Sequence, residues 1–442
     1  MNIRRKDKLS KRIVGTALRK GADSAQALIL SFETDEVNFD DDRLKSAESS
    51  QRTRIYVRVI KNRKVGFSST TDPYDIDGVV GRALEAAEFG SLAHFEMPAA
   101  HHLPLVKTYD PAILPLAKPE MIRLGRKMMD RIKAYNPEIL AGAELGKTVT
   151  QAEFANSSGA CYSSEHTVLG VGAGGQLVRG TDILFSDHEI SQKKRALDVD
   201  EIADHAIGYF RMAERVAPIQ TGKMPVIFTP HGLSVLLLSL MLGLDGKNVF
   251  LGSSPLRDKM GKTIVDGRFT LVDDPLIDYG PKSSAFDDEG VPRQRLALIE
   301  KGVLRSFVYD LDTAGRAGAK PTGHGQERRY TNLVISPGDV SYAEMLRGIK
   351  NGLLVHQFLG LGQGNPINGE FSINVGLGYK IENGEIAGRV KDVMLAGNAY
   401  DALKNITALS REREWVSESG MFAIYNGLSP YIQVGELSAV AK

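Results

Sequence analysis

Ile55-Tyr56-Val57-Arg58-Val59-Ile60, the polar step Lys61-Asn62-Arg63-Lys64 and the following Val65-Gly66-Phe67 make up the stretch from which the fold is read. β-Branched and aromatic residues on either side of a short polar break are the pattern of a β-hairpin with a tight turn. On its N-terminal side, Ala27 to Phe32 reads as another strand. Before that, Leu9, Ile13, Val14, Ala17 and Leu18 fall at helical spacing, with Gly21 placed to end the helix. On its C-terminal side a second helix is expected near Ile76 to Phe89. Helix, strands and helix make a small α/β unit, assigned to residues 1–97.

Farther out, Pro98, Pro104, Pro111, Pro115 and Pro119 stiffen the chain and forbid continuous helix or central strand, so this segment is read as a linker. A middle region, 98–221, follows with strands and two helices. The first helix, Glu120 to Tyr135, places Met121, Ile122, Met128, Met129 and Ile132 on one face. Strand-rich sequence then runs from Lys147 to Gln192, and a helix from Asp200 to Val216 buries Ile202, Ala206, Ile207, Phe210 and Ala213. Pro218 and Gln220-Thr221-Gly222 mark the second boundary. The remainder, 222–442, is glycine-rich with short apolar segments between turn residues, which reads as a β-rich domain carrying a few helices. One of these is announced by Ser341 and Glu344, a capping box ahead of Met345, Leu346 and Ile349. The fold class is therefore α+β, with a mixed α/β N-terminal domain, a middle α/β region and a β-rich C-terminal domain.

The 442 residues are 42% hydrophobic and 25% charged, which excludes disorder as the default. A net charge of +1 offers no broad field for a polyanion, so the basic run Arg4-Arg5-Lys6 reads as a solvated face and direct nucleic-acid binding is not expected. Cys161 is the one cysteine, no internal disulfide can form, and a reducing, cytoplasmic compartment is expected. The longest apolar run, Leu233 to Leu244, is too short to cross a bilayer as a helix.

Several motifs have a chemical and a plain reading. Gly170, Gly172 and Gly175 match G-x-G-x-x-G, but Gln176-Leu177-Val178 continues as strand, so no helix N-terminus follows to take a pyrophosphate. Gly360, Gly362 and Gly364 read as a turn or flexible loop. Cys161 with His166 is conceivable as a nucleophilic pair, although a small thiol beside a turn is the simpler reading. Asp273-Asp274 and Asp287-Asp288-Glu289 have the oxygens a hard cation needs, yet Asp-Asp-Pro and Asp-Glu-Gly also form turns. His231, after Thr229-Pro230, reads as a surface or cap residue in the first turn of a helix.

The order of Asp273-Asp274-Pro275, Phe286-Asp287-Asp288-Glu289-Gly290-Val291-Pro292, Lys301-Gly302-Val303-Leu304, Thr322-Gly323-His324-Gly325, Asn368-Gly369-Glu370-Phe371-Ser372 and Ile381-Glu382-Asn383-Gly384-Glu385-Ile386 resembles the TldD/PmbA family, the modulators of DNA gyrase, on its PmbA/TldE-like branch. The likeness extends to the Arg58-Val59 hairpin and to Asn156-Ser157-Ser158-Gly159. It implies a barrel-like C-terminal domain and a metallopeptidase setting. In the zinc-bearing branch, the helix matching Pro230 to Gly246 is expected to carry H-E-x-x-x-H, with a cysteine near the C-terminus completing the shell. One register puts those positions at Leu238, Ser239 and Gly243, the other at Leu237, Leu238 and Leu242. Neither supplies a ligand, and Gly420 to Lys442 contains no cysteine. Leucine cannot coordinate zinc.

The resemblance thus implies a non-catalytic subunit of a cytoplasmic TldD/TldE-type zinc metallopeptidase, with no catalytic residue, cofactor or metal ligand of its own. Zinc is expected only in a TldD-like partner, peptides are the expected substrates, and self-association is the alternative assembly. Two other functions stay open. One is an independent hydrolase using Asp287, Asp288, Glu289 and His324 in a repurposed cleft. The other is a binding protein acting on gyrase-related partners.

Overall fold

The computed structural model describes residues 8–195, 198–326, 329–417 and 425–441. The basic run Arg4-Arg5-Lys6 and the start of the Gly420 to Lys442 stretch lie outside them. The first helix, α1 (Leu9–Arg19), buries Ile13, Val14 and Ala17 and gives way to Gly21 at φ +95°. Three strands follow, β1 (Ser24–Asp40), β2 (Arg43–Lys61) and β3 (Lys64–Thr70), then α2 (Ile76–Phe89). The β2–β3 connection is a two-residue turn in which Asn62 and Arg63 both take the left-handed conformation, φ 52° and 62°. That geometry matches the natural twist of a hairpin. β1 is much longer than the apolar run at Ala27 to Phe32, because its polar half, Glu33 to Glu36, is held by backbone pairing to neighbours on both edges. Apolar periodicity cannot reveal such a segment.

After the proline-rich segment come α3 (Lys118–Tyr135), β4 (Leu140–Asn156), β5 (Cys161–Arg179), β6 (Asp182–Gln192) and α4 (Val199–Met212). The last helix ends earlier than its apolar spacing suggested: the Ala213 N–H caps it by bonding back to Tyr209 and Phe210 carbonyls. β4 pairs along β1, so six antiparallel strands form one half-barrel sheet ordered β3-β2-β1-β4-β5-β6 that runs across the proline-rich linker. α1 and α2 cover one end of it, α3 and α4 the other. The glycines at 170, 172 and 175 lie inside β5, with no helix following.

The second half opens with β7 (Gly222–Phe228) and α5 (Ser234–Leu244). β7 pairs in parallel with Asn351–Gln363, which continues antiparallel through Glu370–Glu382, Val393–Asn398 and Asn426–Ala441; this last strand pairs back onto β7. The result is a closed five-strand barrel within a mixed α and β protein. Alternate residues serve two cores. Val226, Phe228, Leu353, Val355, Ile373 and Leu395 pack in the same core as α5, whereas Ile227, Leu354, Leu377, Tyr379 and Ile381 join the core built by α3 and α4. The two halves therefore share one apolar body, reinforced where Tyr379 OH donates to Tyr209 O at 3.0 Å. Of the three glycines expected in a turn or loop, Gly364 lies in the bend after the Asn351–Gln363 strand, whereas Gly360 and Gly362 sit within it, at φ 70° and 72°, where its register slips against Glu370–Glu382. The Ser341–Glu344 capping box is formed in full. No helix of the described residues is long and apolar enough to cross a membrane.

Candidate functional site

α5 is apolar around almost its whole circumference, and a helix of that kind belongs inside a core. Leu236 and Leu240 are fully buried, as is Leu237 at 1% exposure, while Leu238 and Leu242 are half-buried. Its polar atoms are backbone carbonyls held by distant side chains. Tyr400 OH donates to Ser239 O at 2.9 Å, Tyr330 OH to Met241 O at 2.8 Å and Asn248 Nδ2 to Leu242 O at 2.8 Å. At Gly243 an added Cβ would meet Tyr400 OH at 2.3 Å, so no larger residue fits there. The positions the resemblance singles out, Leu237, Leu238, Ser239, Leu242 and Gly243, present hydrocarbon, one hydroxyl and backbone. Among the described residues, no group of three or more His, Cys, Asp or Glu side chains is arranged to hold a metal ion.

Just ahead of α5, His231 begins a short 3-10 turn, His231–Leu233, and it is half-buried where its local turn reads as a surface or cap position. The ring faces inward, 5.2 Å from His356 on the barrel and 6.4 Å from His188 on β6, measured between centroids. His188 continues the row to His205 on α4, with His205 Nδ1 and His188 Nε2 3.1 Å apart. At the other end, His356 Nδ1 lies 3.0 Å from Thr229 Oγ1, and its ring stacks on Tyr209 at 3.9 Å. Burial holds His188 down to about 3 and His231 to about 4, and lowers His356 well below the ordinary value, with neighbouring imidazoles adding to the effect at His188 and His356. Nothing in sequence links residues 188, 205, 231 and 356; only the closing of barrel on half-barrel aligns them.

Phe286 carries the third candidate cluster to the half-barrel by packing between Phe154 of β4 and Tyr162 of β5. At Gly290, φ +78°, a Cβ would strike the Phe154 ring at 2.3 Å, which explains the Asp-Glu-Gly order. The carboxylates that follow Phe286 are engaged one by one. Asp287 accepts from the Glu289, Val291 and Gly325 amides at 2.9, 2.9 and 2.8 Å, and Asp288 from the Gln326 amide at 2.8 Å. Glu289, 1% exposed, accepts from Arg58 at 2.7 Å and from the Leu311 amide at 2.8 Å. Arg58 is 3% exposed, also binds Gln26 Oε1 at 2.6 Å, and lies 4.7 Å from the Phe95 ring centroid. Burial pushes Asp288 up to about 6, with the Asp287 charge adding to it. His324 turns to a different acid: its Nε2 is 2.7 Å from Asp273 Oδ2. Burial would raise Asp273, but His324 and the Thr331 donors outweigh it and lower the pKa. Asp287, Asp288, Glu289 and His324 are thus neighbours. Of the four, only Glu289 lines the adjoining cavity of about 470 Å³, shared with Arg58, Phe95, Phe250 and Arg316. Arg58 was quoted from the sequence only as part of a hairpin; its pairing across 231 positions had no local signal.

Cys161 and His166 do not form a pair. Both lie on β5 five residues apart, so their side chains point to opposite faces. His166 Nε2 instead lies 2.8 Å from Ser164 Oγ.

Residues 221–440 match the sequence profile described as PmbA/TldA metallopeptidase C-terminal domain, and residues 27–87 match PmbA/TldA metallopeptidase domain 1. The chain belongs to the TldD/PmbA family. Within that metallopeptidase-related family it is 25% identical over 411 residues to a metalloprotease of Methanothermobacter thermautotrophicus, covering 86% of each chain. It is 32% identical over 206 residues to the metalloprotease PmbA of Escherichia coli O157:H7, covering 46% of this chain and 45% of that one. Among family structures, TldE from Thermococcus kodakarensis superimposes with a TM-score of 0.90 at 20% identity, covering 98% of this chain and all of that one. A putative modulator of DNA gyrase from Thermotoga maritima gives 0.87 at 24% identity, with 98% and 99% covered. These two likenesses establish the fold.

Proposed function

We propose that this chain is the non-catalytic member of a two-subunit, cytoplasmic TldD/TldE-type zinc metallopeptidase that processes peptides. The observation that carries the reading is α5. Zinc hydrolysis requires imidazole or thiolate ligands and a carboxylate to take a proton from the bound water. At the positions where the resemblance places them, this helix has leucine, serine and glycine, with Leu237, Ser239 and Gly243 buried and Leu238 and Leu242 half-buried. Zinc is accordingly assigned to a TldD-like partner, and this subunit contributes shape and peptide contacts.

Two features suit that task. β3 and β6 are the outer strands of the half-barrel sheet; the start of β3 is bridged to Leu92, and an extended peptide can add to the remaining edge through main-chain hydrogen bonds. A groove of about 470 Å³ crosses the sheet between Asn38, Glu144, Phe185 and Asp187, with Gly172 in its floor.

Metal analysis of the purified chain, combined with peptide cleavage assays with and without a TldD-like subunit, tests the proposal. The expected result is no stoichiometric zinc and no cleavage by this chain alone, a stable complex on mixing, and chelator-sensitive cleavage by the complex. Tightly held zinc at one ion per chain, or chelator-sensitive cleavage by this chain alone, would overturn it.

A further inference from the structure

Two polar atoms are left over in the wall of the cavity beside Glu289, where β2, the segment after α2 and the short helices Gly246–Phe250 and Leu311–Ala317 meet. Arg58 is 3% exposed and spends Nη1 on Glu289 and Nη2 on Gln26, yet its Nε is buried with no hydrogen-bond partner. In the same wall, Asp312 Oδ2 accepts from Arg316 Nε at 2.7 Å, while its Oδ1 is buried and unmatched. One donor and one acceptor remain unused. Six side-chain atoms of the described residues are buried in this way, and two of them belong to this one cavity. A buried polar group left unpaired costs about 1–3 kcal/mol, which is recovered when a ligand supplies the missing partner.

The rest of the wall limits what that ligand can be. Arg58, Lys247 and Arg316 are matched by Glu289, Asp310 and Asp312, so the lining is neutral and favours neither a polyanion nor a polycation. Apolar surface lies beside these charges. The Phe95 ring is 4.7 Å from the Arg58 guanidinium carbon, and Phe250 and Leu251 are 43% and 64% exposed. A space of about 470 Å³ with apolar walls and a few placed polar groups suits a small organic ligand. An ionised carboxylate bonds a cationic donor about twice as strongly as a neutral one. The complementary ligand therefore carries an ammonium, a nearby carbonyl oxygen and an apolar side chain.

We propose that this cavity binds an apolar α-aminoacyl group with a free ammonium, which meets Asp312 Oδ1 while its carbonyl oxygen accepts from Arg58 Nε and its side chain packs on Phe250 and Leu251. The amino end of a peptide and a free amino acid share this chemistry. Preference for the peptide end rests on the peptide-processing reading; the donor and the acceptor in the wall do not.

Calorimetric titration of the full chain alone tests the site, with leucyl-alanine amide, its N-acetyl derivative and free leucine as probes. Leucyl-alanine amide should bind saturably, and the acetylated peptide about 10–100-fold more weakly, because its ammonium is gone. Tighter binding of the dipeptide amide than of leucine assigns the site to peptide ends, and the reverse assigns it to free amino acids. Asp312→Asn should weaken the dipeptide amide by about tenfold or more while the chain melts close to the native temperature, since the side chain is 37% exposed. Phe250→Ala, at another exposed side chain, should weaken it by about fivefold. The proposal is overturned if neither leucine nor its dipeptide amide binds, if the acetylated peptide binds as tightly as the free one, or if Asp312→Asn keeps the native affinity. Zinc content and cleavage by the two-subunit complex are separate measurements, so failure here would leave that reading standing.

Discussion

Arg58→Leu is expected to lower the unfolding free energy by about 3–5 kcal/mol, because it strands the Glu289 carboxylate in a buried site. The pair spans the molecule from β2 to the loop after Phe286, and both side chains are almost fully buried, 4% and 2% exposed. The energetics are asymmetric. Removing both charges in Arg58→Leu/Glu289→Leu takes away the attraction and the desolvation cost together, and most of the lost stability should return. Urea denaturation of the two variants checks this. The pH dependence gives a second signature: with Arg58 gone, burial raises the Glu289 pKa further, against only the Leu311 amide, so the defect should shrink as acid supplies the missing proton. A single variant within about 1 kcal/mol of the native protein would reduce the contact to the rank of a surface ion pair.

A second large effect is expected at the row of imidazoles. His188 is 5% exposed and its folded pKa is lowered to about 3, against 6.5 for the free side chain. As pH falls below 6.5, the unfolded chain takes up this proton while the folded chain does not. Stability is therefore lost progressively from about pH 6.5 down toward 3. The loss from this one group amounts to about 2–3 kcal/mol between pH 7 and 4.5. Asp288 works in the opposite direction over part of this range, since its raised pKa of about 6 makes the folded state bind a proton first. The informative quantity is therefore a difference between proteins. His188→Asn should flatten the stability-versus-pH curve by that amount relative to the native chain. Parallel curves would mean that the imidazole exchanges protons as readily folded as unfolded.

The sequence was most informative where the chain signals locally. The hairpin after Ile55 was visible because its two-residue polar turn interrupts β-branched runs, and the helix from Ser341 because its cap is written in four consecutive residues. Periodicity found α1, α2 and α3 for the same reason. It is blind to the polar half of β1, whose strand character comes from pairing with β2 and β4, and it extends α4 to Val216, because Ala213 is buried although the helix has already ended. At the candidate site the contrast is sharper. The absence of metal ligands in α5 could be read directly, since leucine has no lone pair to offer. The partners of Glu289 and the row from His205 to His356 could not be read, because each contact joins residues that only the completed fold brings together. From its local turn alone His231 reads as a surface or cap residue, whereas the completed fold half-buries its ring beside His356 and His188.

Tyr379 and Ile381 of the barrel share their apolar surroundings with Ile202 and Phe210 of α4, and this has a consequence for handling the molecule. Severing the polypeptide near Thr221 would leave each fragment with a bare greasy wall shaped for the other. Such pieces would reassociate, aggregate or recruit chaperones before they behaved as independent modules.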